Sequence, residues 1–475
     1  MLGVAMPATI ALAAVGLDTY WPQFPGLRER LDACRRRLAG ELSGEGARIE
    51  DLGMVDSVAA ARAAAAQARR GESRLLVLWL STYALSGTIL PLVQDCGCPV
   101  LVAALQPGAA LDIPAVNALG DRGAMTGTWL GWCQACSAPE VANVFHRVGL
   151  DLRLIAGHLE DPGDLARLRA WVASAVVRER LRESTIGLLG GYYDGMLDIH
   201  SDVTGLSGTF GCRFRVLEYA ALEERRRALD AAGIAAMRQR LGSAFAIDPA
   251  CSPGELERAA ATATAFARLA EDEALSALAY YYEGRAGGTD RDLVTSAIPG
   301  LTLLTGAGIP CAGEYEVKNA VAMLICQLIA GGGSFSEFYA ADFTRDEILL
   351  GHDGPGHPVL AADGVRLVPL PVYHGKPGTG LSIGMSVRPG PVTLLSVLQR
   401  GGRTVLLSAE GEAVPGPVLA IGNTNSRYRF PMPARAFIEA WSAAGPAHHC
   451  AIAPGHHGAA MARLADLCGA QHQQI

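Results

Sequence analysis

Glu314, Glu337, His352 and the pair His448-His449 are the side chains of this sequence whose types could do chemistry together. Glu314 opens the run Glu-Tyr-Glu-Val-Lys-Asn-Ala. Glu337 ends the run Gly-Gly-Gly-Ser-Phe-Ser-Glu, and His352 follows Leu-Leu-Gly. Two carboxylates and two imidazoles make a divalent-metal site. A hard cation such as Mn²⁺ or Mg²⁺ prefers about six ligands, mostly oxygen, and imidazole tilts the choice towards transition metals. Four side chains would leave two adjacent positions, enough to chelate a carbonyl and a neighbouring hydroxyl. The cation would polarise the carbonyl and acidify the carbon-bound proton beside it. A glutamate at the edge of the site could take that proton and return it to the next carbon. The expected chemistry is aldose–ketose isomerisation through a cis-enediol. Plainer readings compete. A glutamate ahead of a helix is often a charge favoured by the helix dipole. His-His pairs are often on the surface, and Glu316 and Lys318 fit a solvated helix face. His357 and His456-His457 are rival imidazoles.

Positioning such residues takes a large scaffold. The chain has 475 residues, half of them hydrophobic and 18% charged, so it can bury sizeable cores in two or three domains. Its first third alternates apolar runs of buried parallel-strand type (Ala8–Val15, Leu75–Leu80, Pro99–Leu105, Leu152–Ala156) with helical stretches at Ser57–Arg70 and Pro139–Val148. Another helix runs to Arg37, with Arg35-Arg36-Arg37 on its wet side. The loop after the first strand carries Asp18, Tyr20 and Trp21. A helix over Asp161–Arg182 ends this unit, and the opening recurs: the apolar run Thr185–Leu189, then glycines and an aromatic loop to Met196. Ligands of doubly wound sheets bind beyond the carboxyl ends of the strands, which puts the Tyr20 and Met196 loops near a common cleft.

Glu255–Tyr282 reads as helix ended by Tyr280-Tyr281-Tyr282, with Tyr281 a candidate for lining a polyol pocket. Gly284–Asp290 reads as a polar loop. Val317–Ala330 is an apolar helix stopped by Gly331. After about residue 360 short β-type runs recur: Val365–Val372, Leu381–Val387, Val392–Leu398, Thr404–Ala409 and Pro417–Ile421. Helices over Ala434–Ala443 and Gly458–Leu467 follow. The expected architecture is α/β: two tandem doubly wound α/β domains, residues 1–182 and 183–330, followed by a C-terminal antiparallel β-barrel-like domain, 331–475.

Other classes are disfavoured. A net charge of -7 and no long basic run exclude a nucleic-acid partner. The uncharged first 17 residues lack a basic n-region and are divided by Pro7, and no apolar stretch is long enough to span a bilayer. A cytoplasmic protein is expected. The 11 scattered cysteines point to reduced thiols, with Cys133-Gln-Ala-Cys136 and Cys96/Cys98 read as small buried residues.

Four separated motifs carry a resemblance. Glu314-Tyr315-Glu316-Val317-Lys318-Asn319-Ala320 resembles the L-arabinose isomerase segment Glu-Gly-Asp-Trp-Lys-Thr-Ala. Gly333-Ser334-Phe335-Ser336-Glu337 resembles its Ser-Phe-Met-Glu, and Leu350-Gly351-His352 resembles its Leu-Gly-Ala-His. Trp441, Gly445 and His448-His449 resemble its Trp…Gly-Gly-Gly-His-His. Tyr193-Asp194-Gly195-Met196 is similar to Gly-Asp-Asn-Met. The wider group is the L-arabinose/L-fucose isomerase superfamily. The resemblance implies Glu314, Glu337, His352 and His449 as ligands of Mn²⁺, or of another divalent cation such as Co²⁺ or Mg²⁺. It implies Glu314 and Glu337 as the acid/base pair. It also implies two α/β domains before a β-barrel-like domain, and a homotrimer or homohexamer with interface active sites. The spacing from Trp441 selects His449. The family's sugar-touching glutamine is missing from the first loop, where Leu17 or Asp18 stands nearest. The expected partner is a free sugar, an L-arabinose-like pentose or a related aldose. The alternative is a non-catalytic sugar-binding or sensor protein. A metal hydrolase is disfavoured because no HExxH motif is present.

Overall fold

The computed structural model describes residues 6–44, 46–193, 195–281, 289–370, 372–373, 376–377 and 379–475. They form an α/β structure in two compact units, Gly3–Glu179 and Arg180–Ile475. No helix among the described residues is long and apolar enough to cross a membrane.

The first unit is built on five parallel strands: β1 (Ala8–Val15), β2 (Ala47–Val55), β3 (Leu75–Leu80), β4 (Val100–Gln106) and β5 (Leu154–His158), in the order β2-β1-β3-β4-β5. All eight residues of β1 and all six of β3 are buried, as continuous apolar runs in a sheet covered on both faces should be. β2 was not expected from the sequence. Its run Ala-Arg-Ile-Glu-Asp-Leu-Gly-Met-Val is half exposed at the sheet edge, where neither face demands apolar residues. The loop after β1 includes a short helix, Tyr20–Gln23. It leaves the sheet at β1/β3, where the strand order reverses and ligand crevices form.

Three expectations in this unit are corrected. Arg35 is buried rather than wet, held by ion pairs to Asp32 and Asp51. The helix expected from Pro139 begins five residues earlier and runs Gln134–Arg147, with Pro139 inside it. At the sixth helical position Pro139 has no N–H to give to Ala135 O, so it interrupts the ladder and does not mark the start. Cys133 and Cys136 are joined as a disulfide rather than free.

The second unit opens with β6 (Thr185–Leu189) and β7 (Arg213–Leu217). Then come β8 (Ala246–Ile247), β9 (Ala277–Tyr280) and β10 (Cys311–Ala312), giving a parallel sheet of order β10-β9-β6-β7. The helix expected through Tyr282 stops at Asp272. Tyr280 is a buried residue of β9, Tyr281 follows that strand, and Tyr282 lies outside the described residues. The loop expected over Gly284–Asp290 falls mostly outside them too.

The remaining strands are β11 (Ser334–Asp342), β12 (Glu347–His352), β13 (Arg366–Pro369), β14 (Val372–Tyr373), β15 (Lys376–Pro377), β16 (Leu381–Gly384), β17 (Gly390–Arg400), β18 (Arg403–Val414), β19 (Thr424–Arg429), β20 (His449–Pro454) and β21 (Gln471–Gln474). Seven form a mixed sheet, β17-β20-β11-β12-β19-β18-β21, and β17 also pairs with β18 along its length. Only the β18–β21 pairing within it is parallel. Pro417–Ile421, read as a strand, is loop. The strand there is β19, whose sequence Thr-Asn-Ser-Arg-Tyr-Arg hides it because its polar groups are satisfied inside the unit. One apolar core runs from Leu189 and Phe266 through Ile348 and Leu394 to Ile452, so the parallel sheet and the mixed sheet share packing.

Candidate metal centre

Three elements of the second unit meet at the candidate site. The first is the turn after β10. Glu314 and Tyr315 both have left-handed backbones, with φ of 58° and 57°. Each costs roughly 1–2 kcal/mol for a residue with a Cβ, and such strain gathers at functional positions. Tyr315 N–H bonds Tyr280 O at 2.8 Å, tying the turn to the end of β9. The result sinks Glu314 to 5% exposure immediately before the helix Val317–Ala330.

The second element is β11 beside β20. Their register sets Glu337 directly opposite His449, and directly opposite residues share a face of the sheet. The third is the end of β12. His352 exchanges hydrogen bonds with Thr424, its N–H donating to Oγ1 at 3.2 Å and its carbonyl accepting from Oγ1 at 2.9 Å. Gly351 permits this close approach: a Cβ there would lie 2.3 Å from Thr424 O. The rings of His352 and His449 each pack 4.3 Å from Phe335.

The expected ligands therefore converge, in two groups that share His449. Glu314, His352 and His449 form one, and Glu337, His448 and His449 the other. His352 Nε2 lies 3.7 Å from Glu314 Oε1, and His449 Nε2 lies 3.3 Å from Glu314 Oε2. His448 Nε2 lies 3.5 Å from Glu314 Oε2 and 4.0 Å from Glu337 Oε2. Donor atoms around an ion of this kind, bonded at about 2.0–2.3 Å, stand about 3 Å apart when adjacent and a little over 4 Å when opposed. Buried polar atoms are normally hydrogen-bonded. Here Glu314 Oε2 and both ring nitrogens of His449 are buried without a hydrogen-bond partner. Orphaned anionic oxygen facing orphaned imidazole nitrogen is a donor set that fits a divalent cation.

Burial would raise the Glu314 carboxyl, but His352, His448 and His449 outweigh it and hold it far below the usual carboxylate range. Burial likewise opposes charge on His448, while Glu314 and Asp198 raise it to about 9. His449 is also raised, by Glu314 and Glu316 against its burial. Glu314 is thus an ionised group at the closed end of the site. Glu337, whose side chain keeps 31% exposure, stands at the open end.

The rival histidines are engaged elsewhere. His357 Nδ1 accepts from Val359 N–H at 3.3 Å and its Nε2–H faces Gln327 Oε1 at 2.9 Å. His456 Nε2 bonds Gly411 O, and His457 Nε2 bonds Pro454 O. Of the expected sugar contacts, Met196 and Tyr281 are half-buried in loops that follow β6 and β9. Asp18 and Tyr20 belong to the other unit, in the loop after β1, and Asp194 lies outside the described residues.

Three residues of the cluster were not singled out from the sequence as part of it. Asp198 is the first; its Oδ2 accepts from His448 Nδ1–H at 2.6 Å and from the His448 backbone N–H at 3.0 Å. Glu316 and Lys318, expected on a solvated helix face, are instead buried at 0% and 5% exposure. The alternation Glu314-x-Glu316-x-Lys318 ahead of an otherwise apolar helix was the available signal. A further group of possible ligands, His158, Asp161 and Asp164, lies in the first unit. There Asp164 already accepts from Arg167 and from His158 N–H.

No family model matches the chain. Two curated proteins are similar to it. The L-arabinose isomerase of Erwinia tasmaniensis is 24% identical over 319 residues, 64% of this chain and 62% of that protein. The L-arabinose isomerase of a Nocardioides species is 23% identical over 350 residues, 70% of this chain and 68% of its own length. The match thus spans less than two thirds of the Erwinia protein. The chain is a distant relative of L-arabinose isomerases.

Proposed function

We propose that this protein is a metal-dependent aldose–ketose isomerase acting on a free sugar, an L-arabinose-like pentose or a related aldose. The observation that supports the reading is the pair of groups that share His449, Glu314 with His352 and Glu337 with His448, and the orphaned buried atoms on Glu314 and His449. The distant relationship to L-arabinose isomerases points the same way. Glu314, Glu337, His352 and His449 would hold the cation, with Mn²⁺ the first choice and Co²⁺ or Mg²⁺ the substitutes. Once bound, the cation supplies polarisation of the sugar carbonyl, which acidifies the neighbouring C–H.

The chain's own groups do the rest. Isomerisation removes a proton from C2 of the aldose, leaving a cis-enediol, and delivers a proton to C1 of the ketose. Glu337, at the open end of the cluster, is the group placed to accept the C2 proton on its carboxylate and hand it to C1. Glu314 serves as its partner for the proton that moves between the two oxygens. The buried rings of His352, His449 and Phe335 keep bulk water from the inner side of the site. The same resemblance leads us to propose a homotrimer or homohexamer with active sites between copies; a monomer in sedimentation equilibrium would contradict that.

A panel of aldoses with Mn²⁺, run in D₂O and read by ketose formation, tests the reading. It predicts metal-dependent ketose with the C2 hydrogen carried to C1, deuterium entering there only as far as Glu337 exchanges its proton with solvent before handing it on. Sugar binding without any turnover would favour the non-catalytic alternative. Turnover that survives chelation would remove the metal from the account.

A further inference from the structure

Glu316 and Lys318 flank the start of the helix Val317–Ala330, and their side chains are 1% and 6% exposed. Charged groups are almost never so deeply buried unless paired. Helix preference does not explain the lysine, because a cation in the first turn opposes the helix dipole. Its contacts do. Lys318 Nζ sits 3.4 Å from Glu316 Oε1 and donates to the carbonyls of Asp198 and His200 at 2.8 and 3.1 Å. The other oxygen of Glu316, Oε2, faces His449 Nδ1 at 3.7 Å. The opposite nitrogen of that ring, Nε2, faces Glu314.

We propose that Glu316 and Lys318 are the positioning pair of the metal centre. The buried ammonium lies against one oxygen of Glu316 and the other oxygen faces His449 Nδ1. An acceptor on the Nδ1 side holds the ring with Nε2 turned towards Glu314 and the place a cation would take. Ligating histidines generally need such an acceptor behind them, and losing it weakens metal binding about 10- to 100-fold. The same ammonium clamps the loop that carries Asp198, whose carboxylate stands behind His448 in the same way. This inference rests on the reading that the site binds a cation, and not on which sugar is turned over.

The test is Mn²⁺ affinity of the apoprotein by titration calorimetry, with the melting temperature of each apoprotein measured alongside. Glu316→Gln is expected to weaken Mn²⁺ binding about 10- to 100-fold. It also lowers the apoprotein melting temperature, because it strands a buried ammonium. The double variant Glu316→Gln/Lys318→Met removes both charges at nearly constant volume. Its apoprotein should melt close to the unaltered protein, yet bind Mn²⁺ as weakly as Glu316→Gln. If the double variant regains both melting temperature and Mn²⁺ affinity, the pair is only structural and the proposal fails while the metal reading stands. If the unaltered protein binds no divalent cation, both fall.

Discussion

Glu337 and Glu314 differ in what surrounds them, and that difference sorts their roles. Glu314 is enclosed by three imidazoles, whereas Glu337 reaches the open side of the cluster with His448 Nε2 4.0 Å from its carboxylate. Glu337→Gln is expected to lower kcat by about 10²–10⁴ with Mn²⁺ still bound. Glu314→Gln is expected to lose both turnover and metal. Equal activity in either variant, measured by ketose formation, would contradict the assignment. For the histidines, His449→Ala should reduce bound metal far more than His457→Ala, because His457 is spent on a backbone carbonyl. Metal analysis after dialysis decides it. His357 offers a pH test away from the cluster. Burial lowers it from 6.5 to about 4. Between those values the unfolded chain binds the extra proton and the folded chain does not, so stability falls as pH drops from about 6.5 to 4. The full loss is about 3 kcal/mol. Urea unfolding across that range should show a shallower pH slope in His357→Gln.

At the scale of elements, apolar continuity was legible and polar or hidden elements were not. Ala8–Val15, Leu75–Leu80 and Thr185–Leu189 could be read because strands buried on both faces carry no polar punctuation. The edge strand β2 and the polar strand β19 lacked that mark. β9 was merged into the preceding helix, because Ala277–Tyr280 continues the small apolar texture of Pro253–Asp272. Of the site, the four acidic and imidazole candidates could be found by motif, three of them at element ends and Glu337 inside β11 after a run of glycines. The burial of Glu316 and Lys318 could not, because a charge before a helix looks solvated until the opposing elements are in place. Two turns make an element-scale prediction of opposite signs. Gly331 ends the helix Val317–Ala330 at φ 70°, with open space where a Cβ would go. Gly331→Ala should therefore cost about 1 kcal/mol from backbone conformation alone. Ala274, exposed at φ 48° between Pro253–Asp272 and β9, should gain roughly 0.5 kcal/mol on replacement by glycine. Denaturant midpoints moving in the same direction for both would refute the argument.

At the scale of the whole molecule, the candidate cluster lies entirely within Arg180–Ile475. The sequence read α/β organisation correctly, and the observed C-terminal part is a mixed sheet sharing a core with the parallel sheet before it. A cation bound there should act as a stabilising ligand of the folded state. At about 100-fold its Kd it contributes about 2.7 kcal/mol, seen as a rise in melting temperature that a chelator reverses. His352→Ala and His449→Ala should abolish that rise. Anomalous diffraction from crystals soaked in Mn²⁺ tests the central claim most directly. The account predicts one strong peak bounded by Glu314, Glu337, His352 and His449. Density instead at His158, Asp161 and Asp164, or no peak at all, would contradict it.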